Sequence, residues 1–171
     1  MTIAQYGTGD ANLSFLLPSA RRWNLGIDNS DGDKFKILAD NSNDYSGAGI
    51  VIDTSGNVGI GTTNPGAKMH VYTASSGGTA NANYDDMVVE ASGNGGLTLL
   101  TGAAYDGVIA FGDSGGGAYG RLQYNHTSDY MAFWTGNLER MRINSTGNVG
   151  IGNTSPQATL QVSGSFIVST S

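Results

Sequence analysis

Apolar side chains along this chain fall into short alternating runs rather than the i, i+3, i+4 spacing of a helix. Ala67, Met69 and Val71 alternate with Lys68, His70 and Tyr72, and Ala158, Leu160 and Val162 alternate with Thr159 and Gln161. Each run predicts a strand with one apolar and one polar face. Val58 and Ile60 share one face of a further short strand and leave Gly59 and Gly61 on the other. A strand face without Cβ atoms marks either a close approach by another backbone or simple bulge or turn positions, and its recurrence favours packing repeated along a stacked or intertwined β assembly. Two hairpins are also predicted: residues 22–27 and 34–38 around the polar turn 28–33, and residues 120–124 and 130–134 around the turn 125–129. Residues 87–91, 97–101 and 108–111 read as three more short strands. The segment 10–22 is the nearest candidate for a helix, but Pro18 interrupts it and it can equally be extended.

An internal repeat organises these elements. IDTSGNVGIGTTNPGAKMHV over residues 52–71 recurs as INSTGNVGIGNTSPQATLQV over residues 143–162, at a constant offset of 91 and without a gap. Gly56, Asn57, Val58, Gly59, Ile60, Gly61, Thr63, Pro65, Ala67 and Val71 all meet the same residue in the second copy. Each copy follows one of the hairpins. The chain therefore divides into an N-terminal connecting segment (1–21), a first β module (22–72), a Ser/Gly/Asn linker or loop (73–83), additional short strands (84–119), a second β module (120–163) and a C-terminal strand or start of a further segment (164–171).

Composition narrows the class. Of 171 residues 27 are Gly, and Gly, Asn, Ser and Thr together make 74, which is turn chemistry in bulk. Leu, Ile, Val and Phe number 35, so a single copy has little with which to build a core and partner copies become an attractive source of one. Eight Lys and Arg against 14 Asp and Glu give a net charge of -6, which argues against nucleic acid as a partner. The lack of Cys removes disulfides, thiolate metal sites and Cys nucleophiles. No apolar run reaches the ~20 residues of a membrane-spanning helix, and the first residues lack the pattern of a signal peptide, so the chain reads as soluble without membrane insertion.

Candidate chemistry is sparse. His70 sits on the polar side of a strand whose second copy carries Gln161, which argues for a solvated surface histidine rather than a ligand or general base. His126 falls in a turn. Asp85, Asp86, Glu90, Asp106, Asp113 and Glu139 are numerous, but no spacing selects the pair a glycosidase needs. The turn 28–33 departs from the EF-hand pattern, which would require an Asp at Ile27. Gly115, Gly117 and Gly120 satisfy the spacing of a dinucleotide loop, yet Arg121, Leu122 and Gln123 continue as a strand instead of the helix that binds pyrophosphate. The Asn-x-Ser/Thr triplets at Asn12, Asn125 and Asn144 are expected by chance in this composition. Glu139, Arg140 and Arg142 read as surface ion pairs worth about 0–1 kcal/mol. No catalytic residue, metal ligand or cofactor site is expected.

Trp23, Tyr124, Tyr130 and Trp134, with Phe133, gather in the two hairpins. Flat rings beside amide and carboxylate side chains can grip a carbohydrate, which makes these four the candidate glycan contacts; the competing use is filling each module's small core. Phe133 and Trp134 are adjacent and must face opposite sides of their strand.

The segment MRINSTGNVGIGNTSPQATLQV over residues 141–162, and its first copy over 52–71, resemble the SGNVGIGTTSP-type repeat of tail fibres of tailed bacteriophages. About 100 of the 171 residues share in that resemblance. It implies an all-β, elongated, repeat-containing fibre assembled as a homotrimer, structural rather than enzymatic. Such a fibre, lying in the virion and extracellular after release, forms the shaft or distal region that presents a host-binding surface. Partners implied are other virion tail proteins and a host-surface glycan. Val58, Ile60, Ala67, Met69 and Val71, with Val149, Ile151, Ala158, Leu160 and Val162, are then the expected trimer packing. A self-cleaving C-terminal chaperone often follows such repeats; only residues 163–171 follow here, as expected of a fragment, a matured product or a fibre that trimerises without one. Alternatives are a polysaccharide-degrading tailspike segment and a bacterial surface adhesin carrying the same repeats.

Overall fold

The computed structural model describes residues 9–16, 22–40 and 47–169. It is all-β apart from one turn of 3-10 helix at Asn29–Asp31, and it divides into two units, Met1–Leu97 and Thr98–Ser171. The first unit is one sheet of seven strands in chain order: β1 (Ala11–Leu16), β2 (Arg22–Asp28), β3 (Lys34–Asp40), β4 (Ile50–Ile52), β5 (Val58–Ile60), β6 (Met69–Tyr72) and β7 (Met87–Glu90). Neighbours are antiparallel from β1 to β5, then parallel from β5 to β7. The second unit repeats this plan with six strands: β8 (Asp106–Asp113), β9 (Gly116–Asn125), β10 (Tyr130–Thr135), β11 (Leu138–Ile143), β12 (Val149–Ile151) and β13 (Leu160–Val162). Only its last pair, β12 with β13, is parallel.

Both predicted hairpins form, as β2–β3 and β9–β10. The turn of the first is closed by Asp28, whose carboxylate accepts from the Ser30 hydroxyl and the Asp31 N–H, while Gly32 takes the left-handed conformation that ends the 3-10 turn. The repeat motif explains itself in the same terms. In the turn before β5, the Asp53 carboxylate accepts from the N–H groups of Ser55 and Asn57, and Gly56 has φ +78. In the second copy Asn144 accepts from the N–H groups of Thr146 and Asn148, and Gly147 has φ +84. An amide oxygen and a carboxylate oxygen do the same work, so Asp and Asn interchange.

From β5 the chain crosses to the parallel β6 through residues 61–68, and from β12 to β13 through residues 152–159. Each crossover is laid directly on the strand it leaves. A Cβ on Gly59 would collide with the carbonyl oxygen of Thr62, and one on Gly150 with that of Asn153. The close approach predicted for these glycines is therefore made by the chain's own crossover rather than by another copy. Equivalent bonds fasten the two crossovers: Val58 N–H to Lys68 C=O at 2.9 Å, and Val149 N–H to Thr159 C=O at 2.8 Å.

Other expectations change. Ala67 and Ala158 precede β6 and β13 and lie in the crossovers, so they do not extend the alternation of those strands; Ala67 is buried within its own chain and Ala158 is exposed. Residues 97–101 form no strand: they straddle the boundary between units and pair with neither sheet. Residues 73–83 are not a linker between units but part of the loop joining β6 to β7, held by the Ser76 N–H and hydroxyl on the Glu90 carboxylate. Residues 11–16 are extended, and residues 17–21, with Pro18, lie outside the described residues. Residues 165–169 carry no strand.

Gly59→Ala and Gly150→Ala are each expected to lower stability by about 1–3 kcal/mol through forced displacement of the crossover. Gly96→Ala, where an added Cβ meets nothing within 4 Å, serves as the control. Urea unfolding at fixed protein concentration measures all three.

Candidate functional site

Register sorts the side chains of each sheet into rows. In the first unit, Ile27, Phe35, Ile52, Val58, Met69 and Met87 form one row across six strands, and Leu25, Ile37, Ile50, Ile60, Val71 and Val89 form a second on the same face. The row between them, on the opposite face, reads Gly26, Lys36, Val51, Gly59, His70 and Val88. The second unit has the same design. Ile109, Leu122, Phe133, Met141, Ile151 and Val162 form one apolar row, and Tyr124, Met131, Ile143, Val149 and Leu160 a second. Val108, Gln123, Ala132, Arg142, Gly150 and Gln161 occupy the opposite face.

Burial runs against the usual order. The apolar faces are open: Phe15 is 58% exposed, Trp23 53%, Met87 52% and Leu160 52%. The polar faces are closed, with Lys36, Val51 and Ala132 essentially inaccessible and Gly59, His70, Gln123 and Gly150 buried. The crossovers lie on the polar faces, while among the described residues no crossover lies on the apolar ones, although Leu99 lines a cleft of about 240 Å³ on the second of them with Ile109, Leu122, Tyr124 and Met131. Of the expected packing residues, Val58, Ile60, Met69 and Val71 share one open face, and Val149, Ile151, Leu160 and Val162 share the other. Ala67 and Ala158 belong to neither. A cleft of about 550 Å³ between Trp23, Ile37, Ile50 and Ile60 opens on the first of these faces.

Each closed face contains an ion pair that sequence reasoning missed or misjudged. Lys36 Nζ lies 2.7 Å from Asp28 Oδ2 and 2.7 Å from Asp31 Oδ2, and Lys34 reaches Asp31 at 2.9 Å and Asn64 at 3.0 Å. Burial pushes the Asp28 and Asp31 carboxyls up, but hydrogen bonds from Lys36, joined by Ser30 at Asp28 and by Lys34 at Asp31, outweigh it and hold both below the ordinary range. Burial pushes the Lys36 ammonium down, and its two carboxylate partners more than reverse this. Of the carboxylates of the turn 28–33, Asp28 and Asp31 are thus turned onto lysines and Asp33 accepts from the Asn29 amide. In the second unit Arg142 donates to both oxygens of Glu139, at 2.8 and 2.7 Å, and its guanidinium stacks 3.7 Å from the Tyr130 ring. With side chains only 18% and 7% exposed, this pair is not the surface contact expected of it.

His70 is a second correction. It is 6% exposed, accepts from the Gly66 N–H through Nδ1 at 3.2 Å, and sets Nε2 3.1 Å from Glu90 Oε2 at an angle too oblique for a hydrogen bond. Ser76, through its backbone N–H and then its hydroxyl, with His70 behind it, holds the Glu90 carboxyl below the ordinary range. At the equivalent place Gln161 Oε1 accepts from the Gln157 N–H at 2.8 Å. The imidazole and the amide do one job, satisfying a crossover N–H, which is why they replace each other between copies. The solvated surface expected of His70 is replaced by a buried position under the crossover.

The four aromatic candidates separate. Trp23 and Tyr124 stand on the open apolar faces of their units, and Tyr124 also donates to Asp129, whose negative charge raises its phenol above the ordinary range. Tyr130 and Trp134 stand on the closed side of the second sheet, where Arg121 lies 3.8 Å over the Trp134 ring. They line an open groove of about 670 Å³ with Glu139, Arg142 and the crossover residues Thr154 and Ser155. Trp134 Nε1 there is shielded and has no hydrogen-bond partner. Phe133 faces away from Trp134, as expected.

Two of the other carboxylates hold local structure. Asp106 accepts from Gln123 at 2.7 Å and Asn125 at 2.6 Å, and Asp113 from the Gly115 N–H. Among the described residues no group of three His, Asp or Glu side chains is placed to hold a metal ion. Comparison with known protein families finds no matching family model, and comparison with curated proteins finds no match.

Two outcomes follow from the buried polar face. Asp28 and Asp31 are more acidic folded than unfolded, so their contribution is complete above about pH 3.9 and is lost as pH falls through the lower folded values; the Lys36 contribution is complete below about pH 10.4 and is lost as pH rises through its higher folded value. Asp28→Asn is expected to flatten the acid limb in urea unfolding measured across pH, and Asp28→Ala to cost roughly 3 kcal/mol at pH 7 by leaving Lys36 short of a partner. His70→Gln is expected to stay within about 1 kcal/mol of the parent chain, because the amide oxygen can accept the same N–H, whereas His70→Leu orphans that group and costs about 1–3 kcal/mol.

Proposed function

We propose that this chain is a non-enzymatic structural segment of a phage tail fibre, assembled as a homotrimer. Its apolar sheet faces pack between copies and its crossover faces turn outward. The observation that carries the reading is the inverted burial: continuous apolar rows five or six strands long stand open, while the chain's own crossovers cover the polar rows. A monomer stable in water rarely exposes so large a contiguous apolar surface, and burying one large aliphatic or aromatic side chain is worth about 1.5–3 kcal/mol. The resemblance of the repeat to tail-fibre sequences supplies the class of assembly. Its work is mechanical and adhesive: three chains project a contact surface from the virion, joined to other tail proteins, and multiply weak host contacts through effective concentration.

Trp23 and Tyr124 are covered in this assembly and leave the set of glycan contacts. Tyr130 and Trp134 stay on the outer side, lining a groove with Glu139 and Arg142, and are the contacts we retain for a host-surface glycan.

Light scattering is expected to return about three times the 17.6 kDa chain mass. Ile60→Asp and Ile151→Asp are each expected to abolish that oligomer. A wild-type chain that is folded and monomeric would overturn the proposal, as would a trimer that both variants leave intact.

A further inference from the structure

The internal repeat lets the two closed faces be compared position by position. At the constant offset of 91, Arg142 matches Val51 and Arg140 matches Gly49, and the backbone agrees: Gly152 donates its N–H to the Arg140 carbonyl as Gly61 does to that of Gly49. Register carries the match across each sheet. Ala132 lies opposite Arg142 as Lys36 lies opposite Val51, so Trp134 stands where the first unit has Leu38. Arg121, opposite Trp134, stands where the first unit has Asn24, opposite Leu38. Leu38 and Asn24 are 2% and 1% exposed, whereas Trp134 and Arg121 are only partly buried. One backbone plan thus closes over an aliphatic and an amide side chain in the first unit and holds an indole and a guanidinium beside an open groove in the second.

A bulge makes the difference. A Cβ on Gly49 would collide with the carbonyl oxygen of Ile37, so the first unit has no room for a side chain there. In the second unit the pairing of β10 with β11 shifts between Phe133 and Trp134: Phe133 faces Met141, Trp134 faces Glu139, and Arg140 is the extra residue. Bulges of this kind re-aim a side chain. Arg140 is exposed, lines the groove, and places its Nε on the Thr135 hydroxyl at 3.1 Å. Charge is concentrated at the same place, since Arg121, Arg140 and Arg142 are the only Lys or Arg among residues 98–171. Glu139 neutralises Arg142, but among the described residues no carboxylate lies within ion-pair distance of Arg121 or Arg140. Two cations therefore stand uncompensated beside Tyr130 and Trp134, in a chain whose net charge is -6. The fold itself does not call for them, because the first unit is built with Gly49 and Asn24 in their places.

We infer that this groove takes an anionic saccharide. The sugar ring lies against Tyr130 and Trp134, its carboxylate or phosphate substituent is bound by Arg140 in the positive field that Arg121 reinforces, and the exposed hydroxyls of Thr154 and Ser155 supply hydrogen bonds. A guanidinium meets a carboxylate or a phosphate with two parallel N–H donors. A neutral sugar would leave Arg121 and Arg140 without a counter-charge, an acidic peptide would use the cations but not the flat rings, and three guanidinium groups with a Glu among them are too few to track a nucleic-acid backbone. The inference rests on the reading of this groove as the host-glycan contact and adds to it the charge class of the glycan.

Ligand-detected NMR titration of the full-length chain tests this with methyl glucuronide, a glucose phosphate ester, methyl glucoside, inorganic phosphate and a triaspartate peptide. The acidic sugars are expected to bind about tenfold tighter than the neutral glucoside, the worth of one charged hydrogen bond, and the tighter of the two identifies the acidic group. Arg140→Gln, at an exposed position, is expected to erase that preference and Arg121→Gln to reduce it, with circular dichroism and light-scattering mass unchanged. Equal binding of glucuronide and glucoside overturns the anionic preference and leaves the glycan contact standing. Inorganic phosphate or triaspartate bound as tightly as the acidic sugars overturns it too, as does a preference that survives Arg140→Gln. If no sugar binds and the mass is that of a trimer, the groove is no glycan contact and the fibre reading stands. A monomeric mass counts against the trimer alone, since the groove lies within one unit of one chain.

Discussion

A crossover that rests on its own strand is the constraint from which the rest of each module follows. The Thr62 and Asn153 carbonyls occupy the space of a Cβ on Gly59 and Gly150, so glycine is obligatory there and the strands that carry it are short. With the crossover in that place, one face of the sheet is closed by eight residues of loop. Side chains on that face are favoured when they are small, apolar or paired, as Ala132, Val51 and Lys36 are. Among the described residues no crossover lies on the other face.

The closed faces show two solutions to the same packing problem. In the first module the position beneath the crossover is Val51 and the cation stands on the neighbouring strand, as Lys36 held by Asp28 and Asp31. In the second the small residue is Ala132 and the cation is the next strand's Arg142, held by Glu139 and stacked on Tyr130. A buried charge is tolerated only with close, hydrogen-bonded partners, and each module provides them, from the hairpin turn in one case and from a bulged strand in the other. Such pairs favour one arrangement of the closed face over its alternatives, because any slip of register would strand a cation in a shielded site.

On the open side stand rows of aliphatic and aromatic residues of a kind that an isolated small domain avoids exposing. The division between faces also separates the aromatic residues: Trp23 and Tyr124 stand on the open apolar faces, whereas Tyr130 and Trp134 stand by a groove on the opposite side.

The all-β class, both hairpins, the turns of the repeat and the faces of Val58, Ile60, Met69 and Val71 were legible in the chain, because turn residues and alternation are local properties that need no knowledge of neighbours. The equivalence of His70 and Gln161 was visible too, but not its meaning: an acceptor for a crossover N–H is defined by a loop folding back, not by spacing along a strand. Nor did alternation reveal that the chain's polar face would be the buried one, that Ala67 leaves the strand for the crossover, or that residues 97–101 would find no strand to pair with. Those were decided by tertiary structure, since burial depends on which segment comes to lie over a face, and that is set by where the parallel crossovers return.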